Sequence, residues 1–397
     1  MEKIIIIVLT FFIITTNVKS LNISSENVVL YNLNEDKIIY EKNMNKKTSI
    51  ASLTKIMTTL VAIENIDNYN KKVTINENMF NGLKEQNAAV IGLKNKQVVT
   101  YNDLLYGMFL ASAADATRAL TINISKSEEE FVKLMNKKAK ELNLKNTSFK
   151  NTIGLDDNDN YSTVNDVATL LKEALKNDKF KEIFTAKSYK FSDNSIKVSS
   201  TLVKTSKKYD YDTSYIIGAK TGYTIDAGRC LASLAIDKKN NIKYLLVTTN
   251  ANIDTKEAYH ILDATIIYKY YFNNYKYYNL INKNDKILTL KTKYSKQQKV
   301  NIYSNKTIKL YLKKYNKNKL KLKYKGIDVI TPEIKKNQKL GTVNVIYDNK
   351  EIDKIDVYMP YNVKFSILKY LKDNIYLVVI SIFVLIIMII FIIKKLY

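Results

Sequence analysis

The 397-residue chain holds a single cysteine, Cys230, and a single histidine, His260. One thiol excludes a disulfide-stapled scaffold and any Cys-rich zinc or iron–sulfur site. One imidazole excludes a multi-histidine metal centre and every mechanism that needs two histidines. With nine glycines and two prolines the chain is neither collagen-like nor Pro-rich. Catalysis here has to rest on Ser, Lys or carboxylate side chains.

What is present points to a folded protein: 46% of residues are hydrophobic and 11% aromatic, which argues against wholesale disorder. The length predicts two folded units plus accessory segments. Basic residues outnumber acidic ones by 63 to 38, a net charge of +25. That excess alone would suit nucleic acid, so compartment has to be settled before partners. Residues 1–20 read as a secretory signal: Lys3, an apolar run from Ile4 to Thr15, and Val18-Lys19-Ser20 at the cleavage position. Residues 375–393 carry no charge and are long enough to cross a bilayer. Lys394 and Lys395 behind that span belong in the cytoplasm by the positive-inside rule. The rest of the mature chain is then expected outside, which leaves lipid or wall polymer, and not nucleic acid, as the available polyanions. Because lysine is abundant everywhere in the chain, a generally basic solvated surface is the simpler explanation of the charge.

Residues 27–42 read as a β-hairpin, and Ile56, Leu60 and Ile63 recur at helical spacing after Ser52. Further helices fit residues 101–110, 128–142 and 164–175, the last opened by Thr163 and Asp166 in the pattern of a capping box. Short β runs come next at residues 215–222, 230–236 and 242–249, and then a helix at 256–271. This order predicts an α+β domain with helices beside an antiparallel sheet over residues 21–274. Alternating apolar residues at 287–290, 300–303, 308–312 and 320–324 predict an all-β domain over 275–366. A juxtamembrane linker at 365–372 then leads to a transmembrane helix at 374–394.

Ser52-Leu53-Thr54-Lys55 places a hydroxyl and an amine three residues apart at a helix start, on one face. A lysine whose pKa is lowered by burial and a neighbouring cation can deprotonate a serine without any histidine. By itself this spacing is common in a Lys-rich chain. Ser112-Ala113-Ala114-Asp115 after an apolar helix, and Lys220-Thr221-Gly222 on an expected edge strand, complete an ordered set of three motifs. That order is the one found in penicillin-interacting serine enzymes. On such an edge Lys220 and Thr221 can hold a carboxylate, and Gly222 lets it approach.

Residues 50–58, Leu104-Leu105-Tyr106-Gly107, Gly154-Leu155-Asp156, residues 218–224 and Ala227-Gly228 together resemble the serine-type D-alanyl-D-alanine carboxypeptidases, the low-molecular-mass penicillin-binding proteins. The resemblance covers about residues 27–275. It implies a penicillin-binding transpeptidase-like (β-lactamase-like) fold, a peptidoglycan stem-peptide substrate, β-lactam antibiotics as covalent inhibitors, and no cofactor or metal. By position it implies Ser52 as the acylated nucleophile, Lys55 as base, Ser112 as proton relay and Lys220 as electrostatic partner. Thr221 would bind the terminal carboxylate, with Gly222 beside it. The N–H groups of Ser52 and Tyr223 would form the oxyanion hole, and Lys256 stands where the family often has an arginine.

Two departures accompany the resemblance. Ala114 occupies the third position of the S-x-N motif, which removes an amide, and Lys256 keeps a charge but lacks a bidentate fork. They leave one alternative to a membrane-anchored carboxypeptidase, a catalytically weakened scaffold that binds wall peptide; among enzymes the nearest competitor is a D,D-endopeptidase, against which the all-β module speaks. Cys230 reads as a small buried residue, His260 as structural or exposed, and the 154–156 segment as a turn near the site. The loop at 156–162 has no glutamate to serve as a deacylating base.

Overall fold

The computed structural model describes residues 21–396, so the signal expected at residues 1–20 lies outside the described residues. The chain divides into two compact units at Asn273/Asn274.

The first unit is built on a five-stranded antiparallel sheet. Its strands are β1 (Asn27–Asn32), β2 (Lys37–Lys42), β7 (Ile216–Thr224), β8 (Gly228–Asp237) and β9 (Ile242–Ala251), in the order β2-β1-β9-β8-β7. β1, β8 and β9 are buried along almost their whole length, as strands covered on both faces must be. β7 is an edge. The segment between β2 and β7 supplies α1 (Lys55–Glu64), a small hairpin of β3 (Lys72–Thr74) and β4 (Val98–Thr100), and helices α2 (Tyr101–Leu110), α3 (Ala114–Ser125), α4 (Glu128–Glu141), α5 (Val164–Ala174) and α6 (Asp178–Thr185). A second hairpin, β5 (Ser188–Lys190) and β6 (Lys197–Ser199), precedes α7 (Thr201–Tyr209), and α8 (Tyr259–Asn274) closes the unit.

Nine of the ten residues of α1 are buried, the polar Lys55, Thr58 and Thr59 among them, so it is a core helix surrounded on all sides. It packs against α2, α3, α4, α5 and α6, while α5 lies on β1, β8 and β9. Tyr268 of α8 reaches Ser233 of β8 at 2.9 Å, and Tyr271 donates to the Ile39 carbonyl at 2.9 Å. Asp263 of the same helix accepts from the Ser25 N–H and hydroxyl at 2.7 and 2.6 Å, pinning the start of the described chain.

The expected helices and sheet strands are present within a few residues of their predicted ends. The capping box at Thr163 is only half formed: the Thr163 hydroxyl accepts from the Asp166 N–H at 3.0 Å. The Asp166 carboxylate instead turns to the Asn146 N–H and Thr147 hydroxyl at 2.9 and 2.8 Å. The last helix begins at Tyr259, not near 256, because Asp254 accepts from the Lys256 N–H at 3.0 Å and holds that stretch as a turn.

The second unit contains β10 (Lys276–Ile281), β11 (Lys286–Thr292), β12 (Lys299–Tyr303), β13 (Ile308–Leu312), β14 (Leu320–Gly326), β15 (Val329–Ile330), β16 (Lys339–Tyr347) and β17 (Lys350–Tyr358). They form sheets ordered β10-β13, β12-β11-β15 and β14-β16-β17 around a core that includes Val300, Ile330, Val343, Val345 and Ile355. The expected linker contains a short helix, α9 (Ile367–Asp373), which leads into α10 (Ile375–Leu396). The Ile375–Lys395 stretch of α10 has a mean hydropathy of 3.4 and no residue buried within the protein, and it is long and apolar enough to cross a membrane.

Candidate active site

Three segments converge where the edge strand β7 meets the start of α1. Ser52 lies in a 3-10 turn, Ala51–Thr54, that runs directly into α1. Ala51 before it has φ 47°, a left-handed conformation that costs a non-glycine residue about 1–2 kcal/mol. Two glycines hold this turn. A Cβ on Gly154, itself at φ +83°, would lie 2.0 Å from the Ala51 carbonyl oxygen, and one on Gly222 would lie 2.9 Å from the Ser52 nitrogen. Both positions therefore demand glycine for close backbone approach. Residues 154–156, expected as a turn, do lie against the Ser52 segment, but they are irregular: the chain bends just before them, at Thr152–Ile153, and turns only after them, at Asn158–Asp159.

Ser112 comes after α2, also in the left-handed region at φ 58°, so both serines sit at or beside strained backbone. The four polar side chains of the three motifs form one chain of contacts. Lys55 Nζ lies 3.2 Å from Ser52 Oγ, the Ser112 hydroxyl donates to Ser52 Oγ at 2.8 Å, and Lys220 Nζ donates to Ser112 Oγ at 2.9 Å. Lys55 also donates to the Ile153 carbonyl at 2.5 Å, and Lys220 to the Thr221 carbonyl at 2.9 Å.

Lys55 is 2% exposed and Lys220 fully buried. Burial pushes the Lys55 amine down to about 7, opposed by the negative charge of Glu128. Lys220 is lowered well below the usual lysine range, first by burial and then by the charge of Lys55. With its amine lowered to about 7, Lys55 loses its proton in the neutral range, and it is the amine that stands 3.2 Å from Ser52 Oγ. When Lys55 is neutral its lone pair can accept from Ser52, reversing the hydrogen bond made by the charged form.

Glu128 carries no signature motif, yet it organises the Lys55 environment. It opens α4 and accepts from the Thr152 N–H and hydroxyl at 2.9 and 2.7 Å, and Arg118 Nε donates to it at 3.1 Å. It thereby fixes the Thr152–Ile153 backbone whose carbonyl Lys55 meets. Thr201 is a second residue without a motif: the Thr221 hydroxyl donates to its hydroxyl at 2.6 Å, at the start of α7. A backbone acceptor leaves no trace in sequence, and a lone threonine offers no spacing.

Tyr223 is more than half exposed at the end of β7, and the Arg229 guanidinium of the paired strand lies 5.9 Å from its ring centroid. Arg229 also donates to the carbonyls of Ile253 and Asp254 in the turn that carries Lys256. Lys256 itself is exposed in that turn, and among the described residues no hydrogen bond joins it to Thr221. Ala114 is 3% exposed and clusters with Leu83 and Ile153, so apolar contacts occupy the place of the missing amide. Cys230 is buried, with its thiol pushed up to about 12 by burial. His260 is buried, with its imidazole pushed down to about 3 by burial and by Arg229; neither is fit for proton transfer at neutral pH.

The family model described as D-alanyl-D-alanine carboxypeptidase matches residues 14–253, and that described as penicillin-binding protein 5, C-terminal domain, matches residues 275–364. The chain is similar to D-alanyl-D-alanine carboxypeptidase DacF of Bacillus subtilis, with 33% identity over 320 residues, 80% of each chain. It is also similar to DacC of Escherichia coli, with 26% identity over 363 residues, 89% of this chain and 88% of that one. Among solved structures, penicillin-binding protein 5 of Haemophilus influenzae aligns with a TM-score of 0.62 at 25% identity, covering 87% of this chain and 99% of that one. The first model spans more than half of the chain and the second spans the all-β unit, and this protein belongs to the serine-type D-alanyl-D-alanine carboxypeptidases, the low-molecular-mass penicillin-binding proteins.

Proposed function

We propose that the protein removes the terminal D-Ala from peptidoglycan stem pentapeptides through an acyl-serine intermediate, anchored by α10 as a single span with the catalytic unit outside the cell. In this reading Ser52 is the nucleophile, neutral Lys55 takes its proton, and Ser112 with Lys220 relays a proton to the leaving amine. Thr221 receives the substrate carboxylate, Gly222 admits it, and the N–H groups of Ser52 and Tyr223 face the developing oxyanion. Lys256 adds positive charge near the carboxylate from its exposed turn. The observation that carries the reading is the unbroken Lys55–Ser52–Ser112–Lys220 chain with both amines buried and depressed.

A scaffold that only binds wall peptide would have no use for two buried amines, each kept at a desolvation cost, around a serine. The deciding experiment is D-Ala release from a stem pentapeptide by the full chain in detergent, beside Ser52→Ala. Release by the wild type and none by the variant is expected; equal release would overturn the proposal. A β-lactam should leave a stable adduct on the peptide containing Ser52, read by mass mapping, and an adduct elsewhere would reject that residue.

A further inference from the structure

The basic charge is not spread along the chain. Residues 21–274 hold 35 basic and 29 acidic residues, a net +6, whereas residues 275–366 hold 22 lysines and seven acidic residues, a net +15. Residues 286–327 contain 14 lysines and no acidic residue at all. Both units share whatever bias favours lysine in this chain, so bias alone does not explain the second unit. The difference lies in the near absence of opposing acids there.

Four of its acids, Asp348, Glu351, Asp353 and Asp356, lie along the β16–β17 arm and are each paired to a lysine. The outer strand β14 is different. It is the edge of its sheet, with one side paired to β16. Lys321, Lys323 and Lys325 alternate along it, so they share one face, and all three are exposed. Among the described residues none of the three has an ion-pair partner; Lys321 reaches only the Asn349 side-chain oxygen, at 3.2 Å. Lys313, Lys314, Lys317 and Lys319 precede the row in sequence, on the connection from β13.

The linear spacing of the row selects the partner. β17 ends at Tyr358, and a short segment leads from there to α9 and the apolar helix α10, so this end of the sheet is the one tied to the span. The β16–β17 turn at Asp348 lies at the opposite end, about 30 Å away for nine-residue strands. Lys325 pairs with Thr342 near the end where β17 finishes and Lys321 with Ile346 near the opposite end, so the three lysines form a row along the strand axis. An extended polymer can follow all of it, and alternate side chains about 7 Å apart match the repeat of a chain of three-carbon phosphodiester units.

We propose that the β14 edge of the C-terminal unit binds a linear phosphodiester polymer of the cell wall, holding the enzyme beside its polyanion. The test uses the full chain in zwitterionic detergent and fluorescently labelled poly(glycerol phosphate), with anisotropy read across a salt series. Binding should weaken steeply with salt, as counterion release requires. The triple variant Lys321→Gln/Lys323→Gln/Lys325→Gln should lose about tenfold or more in affinity. A control removing equal charge from exposed sites of the first unit, Lys137→Gln/Lys140→Gln/Lys145→Gln, should change it less than about threefold. Acylation by a fluorescent penicillin reports that the first unit is folded, and near-UV circular dichroism of the tyrosine-rich second unit together with a wild-type thermal melt reports that the second is folded in both variants. Equal losses in both variants, or no binding by the wild type, would overturn the proposal. So would a β14 variant that loses binding to anionic phospholipid vesicles while keeping the polymer, since that places the site on the membrane.

Discussion

Lys55 donates to the carbonyl oxygen of Ile153 at 2.5 Å, and Glu128 holds that backbone in place through Thr152. A negative charge near Lys55 favours its protonated form, against the burial that lowers it to about 7. The acylation rate should therefore rise with pH through about 7 as Lys55 loses its proton. Glu128→Gln keeps an acceptor for Thr152 but removes the charge, so the midpoint should fall by about half to one pH unit. Rates of fluorescent-penicillin acylation from about pH 5 to pH 9 read this directly. A loss of rate with an unmoved midpoint would mean that Glu128 is only structural.

Gly154 is the narrowest point behind the Ser52 turn. Gly154→Ala adds a methyl 2.0 Å from the Ala51 carbonyl oxygen at a φ of +83°, so backbone has to move. We expect a stability loss of about 2–4 kcal/mol in denaturant and acylation slowed by about 100-fold or more, since an ångström of misplacement at a reacting group has that effect. An acylation rate near wild type would show that the turn tolerates displacement.

The convergence of the residues proposed to react was legible in the sequence because motifs name them by spacing: Ser52, Lys55, Ser112 and Lys220 meet in one hydrogen-bonded chain. The first strand of the β-hairpin and the core helix α1 were legible as apolar runs bounded by turn and polar residues, because both are buried almost throughout, and the strands of the second unit because one-sided burial imposes a period of two. What escaped lacked either signal. α7 carries three lysines in nine residues and only two buried positions, a pattern too polar to announce a helix. The Ile153 carbonyl belongs to the backbone, and the Glu128–Thr152 contact joins residues 24 apart through loop geometry. The concentration of charge in the second unit was present in the sequence from the outset; the alignment of Lys321, Lys323 and Lys325 on an edge strand gives it a surface.

Ala114→Asn separates two effects of the missing amide. Ala114 packs with Leu83 and Ile153, and an amide placed there without a full set of partners loses about 1–3 kcal/mol. The melting temperature should fall. Turnover should change by no more than about tenfold, the worth of one hydrogen bond, because Lys55 already has the Ile153 carbonyl. Thermal melts and D-Ala release on the same preparation test both halves, and recovery of turnover by orders of magnitude would mean that the natural enzyme is crippled by Ala114.

Thr201 and Thr221 form the last testable pair. The Thr221 hydroxyl donates its one proton to Thr201 at 2.6 Å, so to meet the proposed substrate carboxylate it has to turn that proton outward and accept from the Thr201 hydroxyl, which then orients it. Thr221→Val removes the contact itself, and kcat/KM for pentapeptide should fall by about 10- to 100-fold, as expected when a hydrogen bond to a charged group is lost. Thr201→Val leaves Thr221 present but unoriented, so the loss should be smaller, about three- to tenfold, and should appear mainly in KM. Thr201→Ser restores a hydroxyl of the same reach and should return most of the activity. If Thr201→Val cost more than Thr221→Val, the carboxylate would have to be held by Thr201 and the start of α7, with Thr221 as its support, and the two roles would exchange.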